Sequence, residues 1–243
     1  MAESIPDLQY SIRLVKKNQH YYFHIPLRDT APVSIIQDRH ECLSIDPGIR
    51  VMLSCYDPTG IAIEFGTRDG WQHIVRKQHS LDALMRKYQT TKRSRDRMRI
   101  RTRIRALYRR ISNCINDLHH KVSKWILERY ENVYIPAFGV SDMNRKVSLR
   151  GKKRVYGRKM ARQLITWGHF QFRELLKAKA ERYNTQVHVC TEEYTSMTCS
   201  KCGRLNRDLG RSKVFKCPHK DCGHDCDRDL NAARNILLMN YRV

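Results

Sequence analysis

The chain has 243 residues, of which 47 are Lys or Arg and 24 are Asp or Glu, so its formal net charge at pH 7 is +23. The 41% of hydrophobic residues can form the core of one large domain, or of one domain with an appendage. The charge argues against an acidic or neutral housekeeping enzyme and indicates a polyanionic partner, a nucleic acid in preference to an anionic membrane surface. No apolar run approaches the roughly 20 residues that a membrane span needs, so we expect no membrane partner.

The first predicted elements are strands. Alternating polar and apolar residues over 8–28 predict an edge hairpin. Three short strands follow at 42–46, 51–56 and 61–65, separated by Pro-Gly and Asp-Pro-Thr-Gly turns. Because these strands and turns follow one another closely, we expect an antiparallel meander.

Helical periodicity replaces this alternation further along the chain. Apolar residues recur at steps of three and four over 100–126, which predicts a long amphipathic helix with a narrow apolar seam. A second helix is predicted over about 158–183, with Met160 and Phe170 among its apolar side, and short strands at 133–135 and 187–189 precede and follow it. A closing helix at 230–238 completes a pattern that suits a mixed α/β domain with helices packed on a sheet.

Two stretches concentrate the positive charge. From Arg86 to Arg110 there are twelve Lys or Arg and one acid, and from Arg145 to Arg162 there are nine Lys or Arg. Because the signs are so unequal, we expect phosphate contacts rather than only a solvated helix face. The candidate nucleic-acid-binding residues are Arg93, Arg95, Arg97, Arg99, Arg101, Arg103, Arg105, Lys152, Lys153, Arg154, Arg158 and Lys159.

The cysteines indicate a metal site. Five of the nine lie in the last fifth of the chain, which favours metal binding over a disulfide framework. Cys199 and Cys202 form one knuckle, and Cys217 and Cys222 form a second. Zinc takes four such ligands in a tetrahedron, so we expect a closed, structural Zn²⁺ site in a zinc ribbon. The alternative ligands are Cys226, His219 and His224.

Acidic residues stand at strand ends and at a helix start. Asp46 ends the first strand of the meander, Glu192 and Glu193 follow the last strand, and Asp227 and Asp229 open the final helix. Such acids can meet at one edge of a sheet and hold two Mg²⁺ ions for in-line hydrolysis of a phosphodiester. Spacing alone leaves open a turn residue for Asp46, an N-cap for Asp229 and a solvated acid for Glu192.

Together these motifs resemble the RuvC-like nuclease region of transposon-encoded TnpB proteins. The resemblance is carried over about residues 20–240 by LSIDPG, YIPAFGVSDM, RKMARQLITWGHFQFRELLKAKA, YTSMTCSKCG, SKVFKC and CDRDLNAARNIL. It is closest to the Fanzor-like subgroup and extends to the nuclease half of type V CRISPR effectors. It implies an RNase H-like (RuvC) α/β fold, with a mixed sheet, flanking helices, a basic helical insertion and an inserted zinc ribbon. It also implies RNA-guided, Mg²⁺-dependent cleavage of DNA.

The resemblance also implies a catalytic, Mg²⁺-binding triad. Asp46 matches the first catalytic Asp, and Asp229 matches the third carboxylate. Common TnpB proteins carry the middle acid where this chain has Pro136, whereas the Fanzor-like subgroup has a Glu just before Tyr-Thr-Ser, which matches Glu192. The second choices for the third and middle acids are Asp227 and Glu193.

The same resemblance divides the chain into four parts. They are a remnant of an N-terminal wedge-like β region at 1–40, a RuvC-like core at 41–195 with the basic insertion at about 70–130, a Cys₄ zinc ribbon at 196–226, and a final RuvC segment with the C-terminal helix at 227–243. Relatives carry a long N-terminal recognition region, whereas here only about 40 residues precede the first strand of the core, so we expect either a natural truncation or fragment, or a chain that works with another subunit.

Two functions follow from this organisation. In the first, the chain is the catalytic part of an RNA-guided nuclease, with DNA and guide RNA as partners and a second subunit that supplies the recognition region. In the second, it is a truncated, zinc-containing nucleic-acid-binding protein that does not cleave. We expect a cytoplasmic location in a prokaryote and a nuclear one in a eukaryote or for a virus.

Overall fold

A computed structural model of the chain describes residues 11–17, 20–26, 36–67, 70–139, 157–210 and 212–241. Contacts divide the chain into two units, one from the described parts of 1–34 and 77–111, and the other from those of 35–76 and 112–243. Within the described ranges, no helix is long and apolar enough to cross a membrane.

The smaller unit contains a hairpin and parts of two helices. Strands β1 (Arg13–Lys17) and β2 (His20–His24) pair antiparallel, as the alternation predicts, but they form a sheet of their own rather than the edge of a larger one. The helices are α1 (Gln72–Thr90) and α2 (Ser94–Arg129). Sequence analysis did not predict α1. The first basic stretch, Arg86 to Arg110, therefore spans the end of α1 and the start of α2 instead of lying on a single helix.

The larger unit contains a five-stranded sheet in the order β5-β4-β3-β6-β7. Its strands are β3 (His40–Pro47), β4 (Leu53–Tyr56), β5 (Ala62–Phe65), β6 (Tyr130–Pro136) and β7 (Gln186–Cys190). The first three form the predicted antiparallel meander, while β6 pairs parallel with both β3 and β7. The predicted mixed α/β fold is therefore confirmed, and the carboxyl ends of β3, β6 and β7 share one edge of the sheet.

The helix predicted over 158–183 is in fact three shorter elements, α3 (Arg158–Trp167), α4 (His169–Ala180) and a 3₁₀ turn (Glu181–Tyr183). Gly168 separates α3 from α4 with a φ of 62°, a conformation that favours glycine. The break changes which side chains after Gly168 face the core, so that Phe170, predicted on the apolar side, is 57% exposed. Met160, also predicted on that side, is 38% exposed.

The chain ends with a small antiparallel pair and a helix. Strands β8 (Val214–Lys216) and β9 (Asp225–Asp227) pair in the cysteine module, and α5 (Arg228–Asn240) follows β9 directly. Helix α5 packs on β3 and β4, and the buried Ser44 hydroxyl donates to the Ala233 carbonyl at 2.7 Å. This bond ties the helix that carries Asp229 to the strand that carries Asp46.

Candidate active site and metal centre

Asp46 lies near the carboxyl end of β3, the central strand of the sheet. Burial raises the pKa of its carboxyl well above the usual range, and the charges of Asp229 and Glu192 raise it further, while Arg228 lowers it. The structure therefore brings the three predicted acids within electrostatic reach of one another.

The other two acids share this environment. Burial raises the pKa of Glu192 and also that of Asp229, whose pKa the Asp227 carboxylate raises further. Glu193, the second choice for the middle acid, is exposed. Among the described residues, only the cysteine cluster has three or more metal-binding atoms all within 4.8 Å of one another, so the three acids are spread more widely.

Cations border the acidic cluster. The charges of Arg50, Arg228 and Lys213 all lower the pKa of Asp229 and so partly offset its burial. The Arg228 guanidinium also donates to the Gly210 carbonyl at 3.1 Å. Positive groups beside metal-binding carboxylates can hold the non-bridging oxygens of a phosphodiester.

Asp227 and Asp229 differ in their roles at the start of α5. One carboxylate oxygen of Asp227 accepts from the backbone N–H of Asp229 at 2.8 Å and from that of Leu230 at 3.2 Å. This is the geometry of an N-cap. Asp227 is thus the capping residue, and Asp229 lies in the first turn with its carboxylate outside the cap, which favours Asp229 as the metal ligand.

The strand register accounts for the position of the middle acid. Pro136, at the end of β6, pairs with Cys190, at the end of β7. Glu192 lies two residues beyond Cys190 and leaves the sheet at the edge where β3 ends with Asp46 and Pro47. A proline has no carboxylate. An acid that follows the adjacent strand β7 can supply the metal-binding carboxylate at this edge instead.

Two buried side chains hold the turn that follows Asp46. Trp167 donates its indole N–H to the Ile49 carbonyl at 2.9 Å, and His169 Nε2 lies 2.9 Å from the Gly48 carbonyl oxygen. These contacts fix the backbone next to the first acid. Sequence analysis did not assign this role, because the bonds go to backbone carbonyls that any residue type supplies.

Two buried asparagines on α5 hold the segment between Glu192 and the first knuckle. The amide of Asn235 donates to the Thr195 and Thr198 carbonyls at 2.7 and 2.6 Å. That of Asn231 donates to the Thr198 carbonyl at 2.7 Å. Sequence reasoning missed both, although polar residues four apart on an apolar helix face were a usable signal.

The four cysteines chosen from the two knuckles form one cluster. The sulfur atoms of Cys199 and Cys222 are 3.7 Å apart, as are those of Cys202 and Cys217. Sulfurs bound at 2.3 Å around a tetrahedral zinc stand about 3.8 Å apart, so the donor set fits that ion. Hydrogen bonds from Arg204 lower the pKa of the Cys202 thiol to about 6, which favours the thiolate that a metal binds.

The alternative zinc ligands lie outside this cluster. Cys226 Sγ is 3.2 Å from His224 Nε2, and the same nitrogen is 3.3 Å from the Ser200 hydroxyl. His219 is likewise absent from the set of close ligand atoms among the described residues.

Exposed arginines on α2 form two rows, here called the arginine stripes. A four-residue step keeps side chains on one side of a helix, so the stripes lie on either side of the apolar seam. One stripe is Arg95, Arg99 and Arg103, and the other is Arg97, Arg101 and Arg105. Arg105 is half-buried and the other five are exposed, as is Arg93 just before the helix. Arg97 lies 4.9 Å from the centre of the Tyr88 ring, and Tyr88 and Arg101 help to line a pocket of about 470 Å³.

The second basic stretch, Arg145 to Arg162, lies only partly within the described residues. Lys152, Lys153 and Arg154 lie outside the described residues. Arg158 begins α3 and Lys159 follows, but their side chains are also outside the described part of the chain.

Residues 34–147 match a family described as "Probable transposase", and residues 169–236 match one described as "Cas12f1-like, TNB domain". A "Putative transposase" of Acanthamoeba polyphaga mimivirus is 33% identical over 198 residues, which cover 79% of this chain and 38% of the relative. The "CRISPR-associated endodeoxyribonuclease Cas12f1" of Sulfoacidibacillus thermotolerans is 26% identical over 233 residues, which cover 93% of this chain and 51% of the relative. The chain therefore spans about half or less of the length of these curated relatives.

The fold is also similar to a solved structure, described as "Cryo-EM structure of the Cas12f1-sgRNA-target DNA complex". The TM-score is 0.52 at 17% identity, and the match covers 93% of this chain and 55% of the other. This likeness, which concerns the fold alone, supports the predicted RuvC-like architecture.

Proposed function

Because the chain belongs to the TnpB-like transposase family, we propose that it is the catalytic part of an RNA-guided DNA endonuclease. In this proposal, Asp46, Glu192 and Asp229 bind Mg²⁺ at the carboxyl edge of the sheet. The observation that carries it is the meeting of three half-buried carboxylates within a chain of net charge +23. Divalent cations would relieve the mutual repulsion and burial that raise the pKa values of these acids.

Each residue has a distinct task in this mechanism. Asp46, Glu192 and Asp229 would hold Mg²⁺, which would supply activation of the attacking water and stabilisation of the leaving 3′ oxygen of the cleaved strand. Asp46 is the ligand whose position is fixed most firmly, because Trp167 and His169 hold the turn that follows it. Glu192 and Asp229 complete the ligand set from the chain after β7 and from the first turn of α5. The bordering cations, Arg50, Lys213 and Arg228, orient the phosphate.

The partners follow from the relatives and the charge. The solved structure of similar fold contains a guide RNA and target DNA, which supports the same two partners for this chain. The arginine stripes would contact phosphates without regard to sequence. Residues 41–195 and 227–243 would form the nuclease core, with a second subunit supplying the recognition region.

We also assign a structural Zn²⁺ to the four cysteines of the ribbon at 196–226, because their sulfur spacing fits a tetrahedral ion. Elemental analysis should find one zinc per chain, lost in Cys202→Ser or Cys222→Ser. Cys226→Ser is the matched control and should keep the metal. The assignment is wrong if Cys226→Ser loses zinc while Cys222→Ser retains it.

Cleavage tests the nuclease proposal. The purified protein, with any RNA that co-purifies, is incubated with single-stranded DNA and Mg²⁺. Asp46→Ala, Glu192→Gln and Asp229→Asn should each abolish cleavage, whereas Glu193→Gln, the adjacent exposed acid, should leave it close to wild type. Cleavage that survives in Glu192→Gln would exclude Glu192 as the middle ligand.

The same assay separates the alternative function. A protein that binds DNA and zinc but does not cleave in Mg²⁺ would be the truncated binding module. Cleavage of double-stranded DNA only in the presence of a complementary RNA would establish guiding, and addition of a relative's recognition region would test the second subunit.

A further inference from the structure

Tyr194 combines two unfavourable properties. Among the described residues, it is one of three non-glycine residues with positive φ, at 61°, and its side chain is 65% exposed. The left-handed conformation is disfavoured for an aromatic residue, and an exposed ring gains little from packing. The fold alone therefore gives no reason for a tyrosine at this position.

The surrounding backbone holds Tyr194 in this conformation from both sides. Before it, the Glu192 carbonyl accepts from the backbone N–H of Thr195 at 3.3 Å and from its hydroxyl at 3.0 Å. After it, the Tyr194 carbonyl accepts from the N–H groups of Met197 and Thr198, both at 2.9 Å. Asn235 anchors the same turn through the Thr195 carbonyl. Strained residues persist where their surroundings over-determine them, and such residues cluster at functional sites.

The backbone of Tyr194 is also close to that of a proposed metal ligand. Tyr194 is two residues from Glu192, so their Cα atoms are at most about 7 Å apart. The site also contains cations suited to phosphate. An exposed aromatic ring beside a phosphate-binding site is suited to a nucleic-acid base, whose flat face stacks on it without regard to sequence.

We propose that Tyr194 stacks on a base of the single-stranded DNA that enters the site, next to the nucleotide whose phosphate is cleaved. This subsite rests on the proposed function and adds to it a contact with substrate. The hydroxyl is not needed for stacking, so phenylalanine should replace tyrosine. Glycine, which adopts the required φ without strain, should keep the turn but lose the contact.

The test uses single-stranded DNA with 2-aminopurine at successive positions, whose fluorescence is quenched by stacking. Ca²⁺ replaces Mg²⁺ so that binding is measured without cleavage. Wild type and Tyr194→Phe should quench the probe at one or two positions. Tyr194→Gly and Tyr194→Ala should lose that quenching and bind about 5- to 150-fold more weakly. Phe170→Ala, which removes another exposed ring of the same unit, should match wild type.

Quenching that persists in Tyr194→Gly, or that is lost equally in Phe170→Ala, would overturn the subsite, as would the absence of any quenched position in wild type. Cleavage in Mg²⁺ is measured in parallel. Normal quenching without cleavage contradicts the nuclease and leaves the subsite intact, whereas cleavage without Tyr194-dependent quenching contradicts the subsite alone.

Discussion

At the scale of single residues, the proposed site depends on side chains that bind backbone rather than one another. Trp167 and His169 hold the carbonyls after Asp46, and Asn231 and Asn235 hold those after Glu192. Each of these four side chains is at most 4% exposed. Removing one takes a hydrogen bond from a carbonyl at or near the core, so we expect losses larger than those of a surface hydrogen bond.

Asn235→Ala should lower the free energy of unfolding by about 1–3 kcal/mol, because the Thr195 carbonyl loses its donor in a buried place and the Thr198 carbonyl keeps only the donor from Asn231. It should also weaken Mg²⁺ binding, since the segment after Glu192 loses its anchor on α5. Urea denaturation measures the first effect, and titration with Mn²⁺ as a spectroscopic probe measures the second. Asn240→Ala, on the same helix but half-buried, should change both much less. Equal effects of the two variants would rule out an anchoring role.

His169 should make stability depend on pH. Burial lowers the pKa of His169 to about 4, and its buried Nδ1 has no hydrogen-bond partner among the residues that the structure describes. The unfolded chain takes up this proton below about pH 6.5, but the folded protein does not until about pH 4. The free energy of unfolding should therefore fall between pH 6.5 and 4, by up to roughly 3 kcal/mol from this residue.

Denaturation with urea at several pH values measures this loss. His169→Gln is the comparison, because its amide can still donate to the Gly48 carbonyl but cannot titrate in this range. The variant should have a shallower decline below pH 6.5. An unchanged decline would show that other groups, such as the buried His119, whose pKa burial also lowers, dominate.

The same residues show what sequence can and cannot reveal about a site. The spacing of the cysteines singles them out, whereas the family resemblance was needed to select Asp46, Glu192 and Asp229 as candidates. The position of Asn235 on an apolar helix face was a usable signal, but the contact of His169 with a backbone carbonyl has no signature in the sequence. Tyr194 is notable for its positive φ, and a backbone angle of this kind is known only once the turn has been seen in the folded structure.

At the scale of elements, strands were easier to predict than helix boundaries. The meander was predictable because Pro-Gly and Asp-Pro-Thr-Gly mark its turns. The break between α3 and α4 was not, because apolar residues continue past Gly168 and suggest one uninterrupted helix. Helix α1 was missed because its residues are mostly polar or charged, and its apolar positions are few.

Gly168→Ala should destabilise the protein by about 1–2 kcal/mol, since an L-residue there must adopt a left-handed conformation. The new Cβ would also lie 2.9 Å from the end of the Gln171 side chain, which can move aside. Gly168→Asn should cost less, because asparagine tolerates this conformation better. The midpoint of urea denaturation provides the measurement. Gly139→Ala, where a Cβ has open space, is the control, and an equal shift in that variant would refute a conformational cause.

At the scale of the whole molecule, the arginine stripes and the three acids lie in different units. The arginine stripes belong to the smaller unit, and the three acids belong to the larger one. This division is consistent with the proposed separate roles of binding the phosphates of a nucleic acid and of hydrolysing a phosphodiester bond. The net charge of +23 follows from the composition, but the assignment of the arginine stripes and the acids to different units depends on which segments of the chain pack together.

Changing Arg95, Arg99 and Arg103 together to Gln should weaken binding of single-stranded DNA and reduce its salt dependence. If all three contact phosphates, the slope of log K against log salt should become shallower by about 2. Fluorescence anisotropy over a range of salt concentrations gives that slope. The matched control changes Lys121, Lys124 and Lys177 to Gln. It removes the same charge from lysines within 4 Å of an acid. Similar slopes for the two triple variants would show that only net charge matters.

The pairing of Pro136 with Cys190 has a historical consequence. Neighbouring parallel strands end at one edge, so an acid after β7 reaches the place that an acid on β6 would otherwise occupy. An ancestor with acids at both strand ends could lose either one and remain active. If Glu192 is the middle ligand as proposed, this carboxylate could change strands during evolution without a non-functional intermediate, and the residue that performs a given task would not need a fixed place in the alignment of distant relatives.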